Sequence, residues 1–236
     1  MQSKNLFANQ FLIVETSDGS PTLRLNTQDS EAMHHSAGAA SETVYIYGAA
    51  LSLARDLFKT DQIRHMVIGL GLGYIEILIA LMTHFQFQTI DSFEVEEKLV
   101  TQFKNWIFKE ESLIHDQVIA KLSKFSNVRY EKNFFISQFQ EKINSNIFKI
   151  HQQINMNSVD KKFQIIHYDA FSSTTDQTLW SEEWLSRFIN KYCDQHCVFV
   201  TYAKTGILNR VLKKAGFKMI KKAGFAGKRE STLAYR

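Results

Sequence analysis

Three glycines at alternate positions mark the part of the chain where ligand chemistry is predicted. Gly69, Gly71 and Gly73 lie between a short apolar run, 65–68, and a second apolar run, 74–82. Such a turn between strand and helix lets backbone N–H groups approach an adenosine-bearing ligand, since no side chain blocks them. Dinucleotide-binding folds use the spacing Gly-x-Gly-x-x-Gly instead. The turn therefore favours S-adenosylmethionine over NAD, and a purely structural glycine turn is the alternative.

An acidic residue supports the cofactor interpretation. The next predicted strand, 88–94, ends at Glu94, about 20 residues past the glycines, where α/β folds place a carboxylate that accepts hydrogen bonds from ribose hydroxyls. Glu94 is the predicted ribose ligand, and Asp91 and Glu96 are the alternatives. The competing interpretation is an acidic helix N-terminus over 94–97, which the helix dipole favours.

A second carboxylate, Asp169, follows the predicted strand 162–168. Ligands of open α/β sheets bind beyond the carboxyl ends of the strands, so we expect Asp169 beside the glycine turn. It could hold a substrate amine with its lone pair toward a methyl donor, a step that depends mainly on positioning. A carboxylate of ordinary pKa is a weak base for an ammonium group, and a water chain is an equal candidate for the proton. A loop-capping role is the structural alternative.

The C-terminal segment 201–236 is strongly basic. It holds ten Lys or Arg residues and one acidic residue, whereas the whole chain has a net charge of +4. Such a segment is typical of a surface that meets phosphates, and a solvated lysine-rich helix face is the alternative. Glycines interleave with the basic residues over 221–229. This favours a loop that clamps a ligand over a helix.

The order of predicted elements indicates an α/β fold with a mostly parallel sheet and helices on both faces. Earlier in the chain, 11–25 predicts a hairpin whose second strand opens at Pro21. We expect 1–60 to be an N-terminal extension packed on one catalytic domain, 61–236. The later predicted elements are helix 41–58, strand 65–69, helix 73–84, strand 88–94, helix 96–109, helix 113–124, strand 127–131, helix 134–152, strand 162–168, helix 180–191, strand 196–202, helix 205–215, strand 217–223 and strand 230–235.

Composition excludes several classes of protein. The 236 residues are 44% hydrophobic and 22% charged, as in an ordinary globular protein. No apolar run reaches the ~18 residues of a membrane helix, and the N-terminus lacks a hydrophobic signal segment. We therefore expect a cytoplasmic protein that does not associate with a membrane. Cys193 and Cys197, or the adjacent His34 and His35, make poor ligand sets, and we expect no metal. No pattern indicates an oligomeric state.

Together these segments resemble the methyltransferase domain of the MnmC-type enzymes, which make 5-methylaminomethyl-2-thiouridine at the wobble position of tRNA. The resemblance runs from about residue 22 to the end of the chain. Its most specific part is a C-terminal Ala-Gly-Phe pattern followed by Gly-Lys-Arg-Glu, which the cofactor fold alone does not require. The segments that carry it are 31–43, 69–73, 92–94, 168–171, 179–180, 201–202, 215–217 and 227–230.

The resemblance implies a class I, Rossmann-like methyltransferase that uses S-adenosylmethionine to methylate the 5-aminomethyl group of wobble uridine in tRNA. In two-domain relatives, a separate FAD-dependent oxidase domain first exposes that amine. Since the chain stops at Arg236, after the methyltransferase pattern, we expect it to bind no FAD. The implied site residues are Gly69, Gly71 and Gly73 along the methionine and ribose, Glu94 on the ribose, Asp169 and Glu42 at the reacting amine, and Lys204, Lys228, Arg229 and Trp180 toward the RNA or the pocket wall.

The sequence departs from the family pattern in two places. Relatives often carry Gly-Asp after the third strand, where it suits the adenine amine. Here 131–135 reads Glu-Lys-Asn-Phe-Phe, so the adenine contact is assigned to Asn133 or to the backbone. Ala170 replaces the glycine of an Asp-Gly-Phe motif, and the loop after it lacks the relatives' proline. We expect the methyl-transfer chemistry to survive both changes.

Two other functions fit some of these features. A methyltransferase or aminopropyltransferase for a small-molecule amine would keep the glycines and Asp169 but would not need the basic C-terminal loop. A catalytically silent RNA-binding module on the same fold would not need Glu94 and Asp169. Charge reversal at Lys228 and Arg229 separates the first alternative from a tRNA enzyme.

Overall fold

The computed structural model describes residues 10–27, 32–109, 112–170, 176–227 and 230–236. Within these ranges, a large sheet is flanked by helices and a small hairpin lies beside it. The strands are β1 Phe11–Glu15, β2 Pro21–Leu25, β3 Arg64–Ile68, β4 Thr89–Phe93, β5 Phe148–His151, β6 Phe163–Tyr168, β7 Cys193–Thr201, β8 Lys218–Ile220 and β9 Thr232–Tyr235. The helices are α1 Ala39–Thr43, α2 Ala49–Phe58, α3 Tyr74–Thr83, α4 Glu97–Lys109, α5 Leu113–Ser126, α6 Lys132–Asn144, α7 Glu182–Tyr192 and α8 Gly206–Lys214, with a π-helical turn, Val44–Gly48, between α1 and α2 and a 3₁₀ turn at Phe225–Gly227.

The large sheet has the strand order β5-β4-β3-β6-β7-β9-β8. Five of its strands run parallel, and β9 lies antiparallel between β7 and β8. The predicted α/β fold with a mostly parallel, seven-stranded sheet is confirmed. The central strands β3 and β6 are buried along most of their length, as expected of strands covered by helices on both faces.

Successive strands are added first on one side of β3 and later on its other side. From β3 the chain moves to β4 on one side and later returns to β6 on the other side. This arrangement opens a crevice beyond the carboxyl ends of β3, β4 and β6, the place where open α/β sheets bind ligands. The glycine turn, Glu94 and Asp169 each follow one of these three strands. The predicted meeting of these residues at one edge of the sheet is therefore confirmed.

The prediction for 127–152 is wrong in one respect. No strand forms over 127–131, and the strand that flanks β4 is β5, Phe148–His151, inside the predicted helix 134–152. Asn127 ends α5 in a left-handed conformation, and the Glu131 carboxylate then caps α6 by accepting hydrogen bonds from two backbone N–H groups. A second left-handed residue, Asn146, ends α6 and releases the chain into β5.

The N-terminal part of the chain packs on the same core as the rest. Phe11 of β1, Leu23 of β2 and Ala50 of α2 belong to the buried cluster that contains Val67 and Ile77. The hairpin over 11–25 is confirmed, with Pro21 as the first residue of β2. The division of the chain at residue 60 stays a prediction. Among the described residues, no helix is long and apolar enough to cross a membrane.

Candidate active site

The glycine turn is fixed at both ends by the sheet and its helices. The backbone N–H of Gly69 donates to the carbonyl of Phe93 at 2.9 Å, so the turn begins as a continuation of β3. Gly69 and Gly73 have positive φ angles of 94° and 72°. A Cβ atom at Gly69 would lie 2.5 Å from the carbonyl oxygen of Asp169, and one at Gly73 would lie 2.3 Å from the Phe103 ring. These two glycines are required by close packing.

Gly71, the middle glycine, faces open space instead. A Cβ atom there would meet the Met33 sulfur at 3.9 Å, and no other described residue comes nearer. Its backbone N–H donates to the Glu94 carboxylate at 2.9 Å, and the backbone N–H of Glu96 donates to the same side chain. The turn and Glu94 are thus held together at the mouth of the crevice. Of the three glycines, Gly71 is the one placed to lie along a ligand.

Asp169 lies across the turn from Glu94. Its backbone N–H donates to Ile68 at 2.9 Å, which ties the end of β6 to the end of β3. The Tyr47 hydroxyl donates to Oδ1 of its half-buried carboxyl group. Burial raises the pKa of Asp169 to about 7, and the nearby Glu42 carboxylate raises it further, whereas the Tyr47 hydrogen bond opposes the shift. Asp169 therefore holds a proton more readily near neutral pH than an ordinary carboxylate does.

Tyr47 comes from the π-helical turn, Val44–Gly48, that interrupts the predicted helix 41–58. Turns of this kind often occur at functional sites, because they redirect side chains that a regular helix would orient differently. Tyr47 is buried, and burial together with the Asp169 carboxylate raises the pKa of its hydroxyl well above the ordinary range. The hydroxyl is therefore a hydrogen-bond donor to Asp169 at any physiological pH.

Glu42, one turn before Tyr47, closes this side of the site. It is 6% exposed and accepts a hydrogen bond from the backbone N–H of His35 at 2.8 Å. Its negative charge raises the pKa values of both Asp169 and Tyr47, which places it close to both groups. The structure thus places Glu42 near Asp169, and the catalytic role that the resemblance implies for Glu42 stays a prediction.

A third carboxyl group, Glu76, lies beneath the turn on the first turn of α3. It is completely buried, Ser92 Oγ donates to its Oε1, and its Oε2 has no hydrogen-bond partner among the described residues. Burial raises the pKa of Glu76 to about 8, and the charges of Asp169 and Glu94 contribute in the same direction. Glu76 was not identified from the sequence. A single acidic residue within the apolar helix 74–83 was the signal that could have found it.

Four carboxyl groups therefore surround the crevice: Glu42, Glu76, Glu94 and Asp169. Burial raises the pKa of Glu94 as well as those of Glu76 and Asp169, and neighbouring carboxylates add to each shift. Acidic groups of this kind attract a cation that enters the crevice. S-adenosylmethionine carries positive charges on its sulfonium and ammonium groups, beside one carboxylate. The open face at Gly71 and this acidic lining fit such a cofactor.

A model of the S-adenosyl-L-methionine-dependent methyltransferase family matches residues 113–236. This match covers more than half of the chain and includes β5 to β9 with Asp169. The chain belongs to this family. The cofactor predicted from the glycine turn is the family's methyl donor, and the resemblance noted in the sequence is confirmed.

Individual relatives of this methyltransferase are distant. An uncharacterized protein of Methanocaldococcus jannaschii is 27% identical over 96% of this chain and 60% of its own length. The tRNA 5-methylaminomethyl-2-thiouridine biosynthesis bifunctional protein MnmC of Campylobacter hominis is 24% identical over 82% of this chain and 28% of its own length. This chain thus spans less than two thirds of either relative. The crystal structure of MnmC2 from Aquifex aeolicus shares the fold, with a TM-score of 0.67 and 21% identity over 95% of this chain and 70% of that one.

The predicted RNA-contacting residues differ in how exposed they are in the structure. Trp180 is 3% exposed and packs edge-on against Tyr168 at a ring distance of 5.3 Å, so its side chain belongs to the core and the predicted RNA contact is wrong. Lys204 follows β7 at the ligand-binding edge of the sheet and forms an ion pair with Glu230. Lys228 and Arg229 lie outside the described residues.

The assignment of Asn133 to the adenine is not supported. It depended on a strand over 127–131, whereas Asn133 lies in the first turn of α6. Phe135 in that turn packs on Phe85, just past the end of α3, at a ring distance of 4.9 Å. The glycine turn lies at the opposite end of α3, about 15 Å away for a ten-residue helix. The strand beside β4 ends instead at His151, whose ring stacks on Phe93.

The methyltransferase should become more stable at alkaline pH when Glu76 is replaced by Gln. A carboxyl whose pKa is raised from 4.5 to about 8 binds its proton more tightly in the folded state. Its effect on stability is therefore absent below pH 4.5, and stability is lost progressively as the pH rises toward 8 and beyond. Gln keeps the Ser92 hydrogen bond and removes the charge. Thermal unfolding at pH 9 should show a gain on the order of 2 kcal/mol for E76Q, and no gain at pH 4.5. An equal gain at both pH values would contradict a raised pKa.

Proposed function

We propose that this methyltransferase transfers a methyl group from S-adenosylmethionine to the exocyclic amine of a 5-aminomethyl group on the wobble uridine of tRNA. The observation that carries the proposal is the carboxyl group of Asp169, held by Tyr47 at the ligand-binding edge of the sheet beside the glycine turn. The names of the MnmC relatives supply the substrate, and the basic C-terminal segment supports it.

When bound, S-adenosylmethionine supplies a methyl group on a positively charged sulfur. The amine must present its lone pair to that methyl group, so a new N–C bond forms while the C–S bond breaks and the amine nitrogen loses one proton. Asp169 is suited to hold the amine, because its Oδ1 is fixed by the Tyr47 hydroxyl. With its pKa raised to about 7, Asp169 is also a better proton acceptor than an ordinary carboxylate. Its fixed position supports Asp169 as the base, and a water chain is the alternative route for the proton.

Glu42 would act beside Asp169 as a second catalytic residue. A substrate ammonium entering between two carboxyl groups gains attraction from both, and the pKa of Asp169 falls as the cation arrives. Glu94 would hold the ribose, since it already fixes the N–H of Gly71 at the open face of the turn. Gly71 would lie along the cofactor, with Gly69 and Gly73 shaping the turn that presents it.

Exposed lysines of the C-terminal segment support a nucleic-acid substrate. Lys221, which follows β8, is exposed, and Lys204, which follows β7, remains 40% exposed within its ion pair. Phosphate contacts of this kind determine affinity and make it dependent on salt. We propose that Lys204, with Lys228 and Arg229, meets the tRNA backbone and that the enzyme works in the cytoplasm. That it needs no FAD and no metal stays a prediction; in the described residues, no three His, Cys, Asp or Glu side chains gather to hold a metal ion.

The proposal is tested with labelled S-adenosylmethionine and three acceptors: tRNA bearing 5-aminomethyl-uridine, the same tRNA as an unmodified transcript, and free polyamine. We expect label in the modified tRNA alone, with an affinity for tRNA that falls steeply between 50 and 200 mM salt, roughly tenfold or more for a few phosphate contacts. Charge reversal at Lys228 and Arg229 should weaken tRNA binding. Equal labelling of polyamine, with no effect of the charge reversal, would instead assign the site to a small-molecule amine.

A further inference from the structure

The chain between β8 and β9, described over 221–227 and at Glu230, forms a strap beside the site. Its two ends are joined by a bridge between Ala223 and Glu230, and Glu230 also pairs with Lys204 beyond β7. The 3₁₀ turn of the strap, Phe225–Gly227, reaches the N-terminal part of the chain. The strap therefore connects the end of β7 to the segment that carries Glu42 and Tyr47.

The contact between the strap and that segment is aromatic. The Phe225 ring lies 5.8 Å from the His35 ring, edge to face, and 6.0 Å from the Tyr45 ring. The Tyr45 hydroxyl donates to the carbonyl of Ala223 at 2.9 Å, and the Lys222 ammonium lies over the Tyr45 ring at 3.9 Å. We name Phe225, His35 and Tyr45 the aromatic rim. All three residues are half-buried, so each keeps an accessible surface.

The aromatic rim connects directly to the reacting carboxyl group. The backbone N–H of His35 donates to Glu42, and the charge of Glu42 raises the pKa of Asp169. Glu42 thus joins the backbone of the aromatic rim at His35 to the side of the crevice where Asp169 would hold an acceptor amine.

An aminomethyl substituent is short, so the uracil ring that bears it must lie a few ångströms from Asp169. Proteins that recognise an unpaired base stack it on an aromatic ring, and they supply positive charge for the adjoining backbone. The rim offers the rings, and the exposed Lys221 precedes Phe225 on the strap.

We propose that the aromatic rim, and Phe225 above all, stacks the target uridine and so selects a pyrimidine-bound amine over a free one. This inference rests on the proposed function and deepens it by assigning base recognition to residues outside the predicted set. Phe225 acts on the substrate base, whereas Asp169 acts on the amine.

The test compares Phe225→Ala, Phe225→Leu and Phe225→Tyr with Phe108→Ala, a change at a 44% exposed phenylalanine at the end of α4. The acceptor is tRNA bearing 5-aminomethyl-uridine, and the readouts are kcat and KM separately. Stacking on Phe225 predicts a loss in kcat/KM of about ten- to one-hundredfold for the Ala variant. The loss should be expressed mainly in KM. Phe225→Tyr should restore activity, and Phe108→Ala should leave it unchanged.

Phe225→Leu decides between stacking and simple docking of the strap. Leucine keeps apolar contact with the N-terminal segment but offers no ring, so it should remain as defective as alanine. If leucine restores the KM for tRNA, Phe225 only holds the strap in place and the inference is overturned. Calorimetry with S-adenosylmethionine should give unchanged affinity for all three variants, since the rim lies on the acceptor side. If the unaltered protein itself labels no tRNA, the proposed function fails, and that result is distinct from either outcome for Phe225.

Discussion

Replacing Asp169 by Asn should lower kcat for methyl transfer by about two to four orders of magnitude. The amide can still accept the Tyr47 hydrogen bond through its carbonyl oxygen, so the fold and the shape of the site should persist. It carries no charge to attract the amine and cannot accept the proton. Affinity for S-adenosylmethionine, measured by calorimetry, should change little, because we assign the cofactor contacts to the open glycine turn and Glu94.

Tyr47→Phe is the informative companion to this variant. The Tyr47 hydrogen bond opposes the upward shift in the pKa of Asp169, so removing it should raise that pKa above about 7. Activity that depends on ionised Asp169 should then rise at a higher pH than in the unaltered enzyme.

If Asp169→Asn abolishes cofactor binding and leaves turnover of the bound fraction intact, Asp169 belongs to the cofactor site instead.

Replacing Gly71 by Arg should weaken binding of S-adenosylmethionine by more than about one hundredfold, without unfolding the protein. Gly71 faces open space, so the new side chain would project into the crevice that a cofactor needs. The positive charge would add repulsion toward a cationic ligand. The positive φ angle of 53° at this position costs about 1 kcal/mol for a residue with a Cβ atom, which is small beside the total stability of a domain.

Gly216→Arg is the matched control for that change. Gly216 also has a positive φ angle, 83°, and no atom of the described residues lies within 4 Å of the position that a Cβ atom would take there. Gly216 follows α8 and lies away from the glycine turn. The Gly216→Arg variant therefore places the same side chain at another glycine with a positive φ angle, outside the site. Calorimetry should show full binding for Gly216→Arg and none for Gly71→Arg. Equal binding by both variants would show that the cofactor does not bind at the glycine turn.

The sequence predicted the frame of the site because that frame depends on local patterns. Apolar runs that end in glycine or in a carboxylate are short-range signals, and the rule for parallel sheets places Gly71, Glu94 and Asp169 at one edge. The strand β5 was missed because its apolar residues continue the spacing of α6, and neither glycine nor proline separates the two elements. The assignment of Asn133 failed for the same reason, since it was placed by a strand that does not form.

The residues that complete the site could not be found this way. Tyr47 fits the apolar face of a helix, and the π-helical turn that directs it to Asp169 leaves no pattern in the sequence. The contact between Phe225 and His35 joins residues 190 positions apart, and no local signal indicates it. Trp180 shows the opposite error, because a resemblance suggested contact with RNA whereas the fold buries the ring.

The central claim is that a methyl group passes from S-adenosylmethionine to the amine of a 5-aminomethyl-uridine in tRNA held beside Asp169. The most direct test is mass analysis of the nucleosides of tRNA that carries this uridine, before and after incubation with the protein and S-adenosylmethionine. We predict that 5-aminomethyl-uridine is replaced by a nucleoside one methyl group heavier, with the added methyl on the side-chain nitrogen, and that Asp169→Asn leaves it unchanged. A methyl group on the ring, on the ribose or on another nucleoside, or no change of mass at all, would contradict the account.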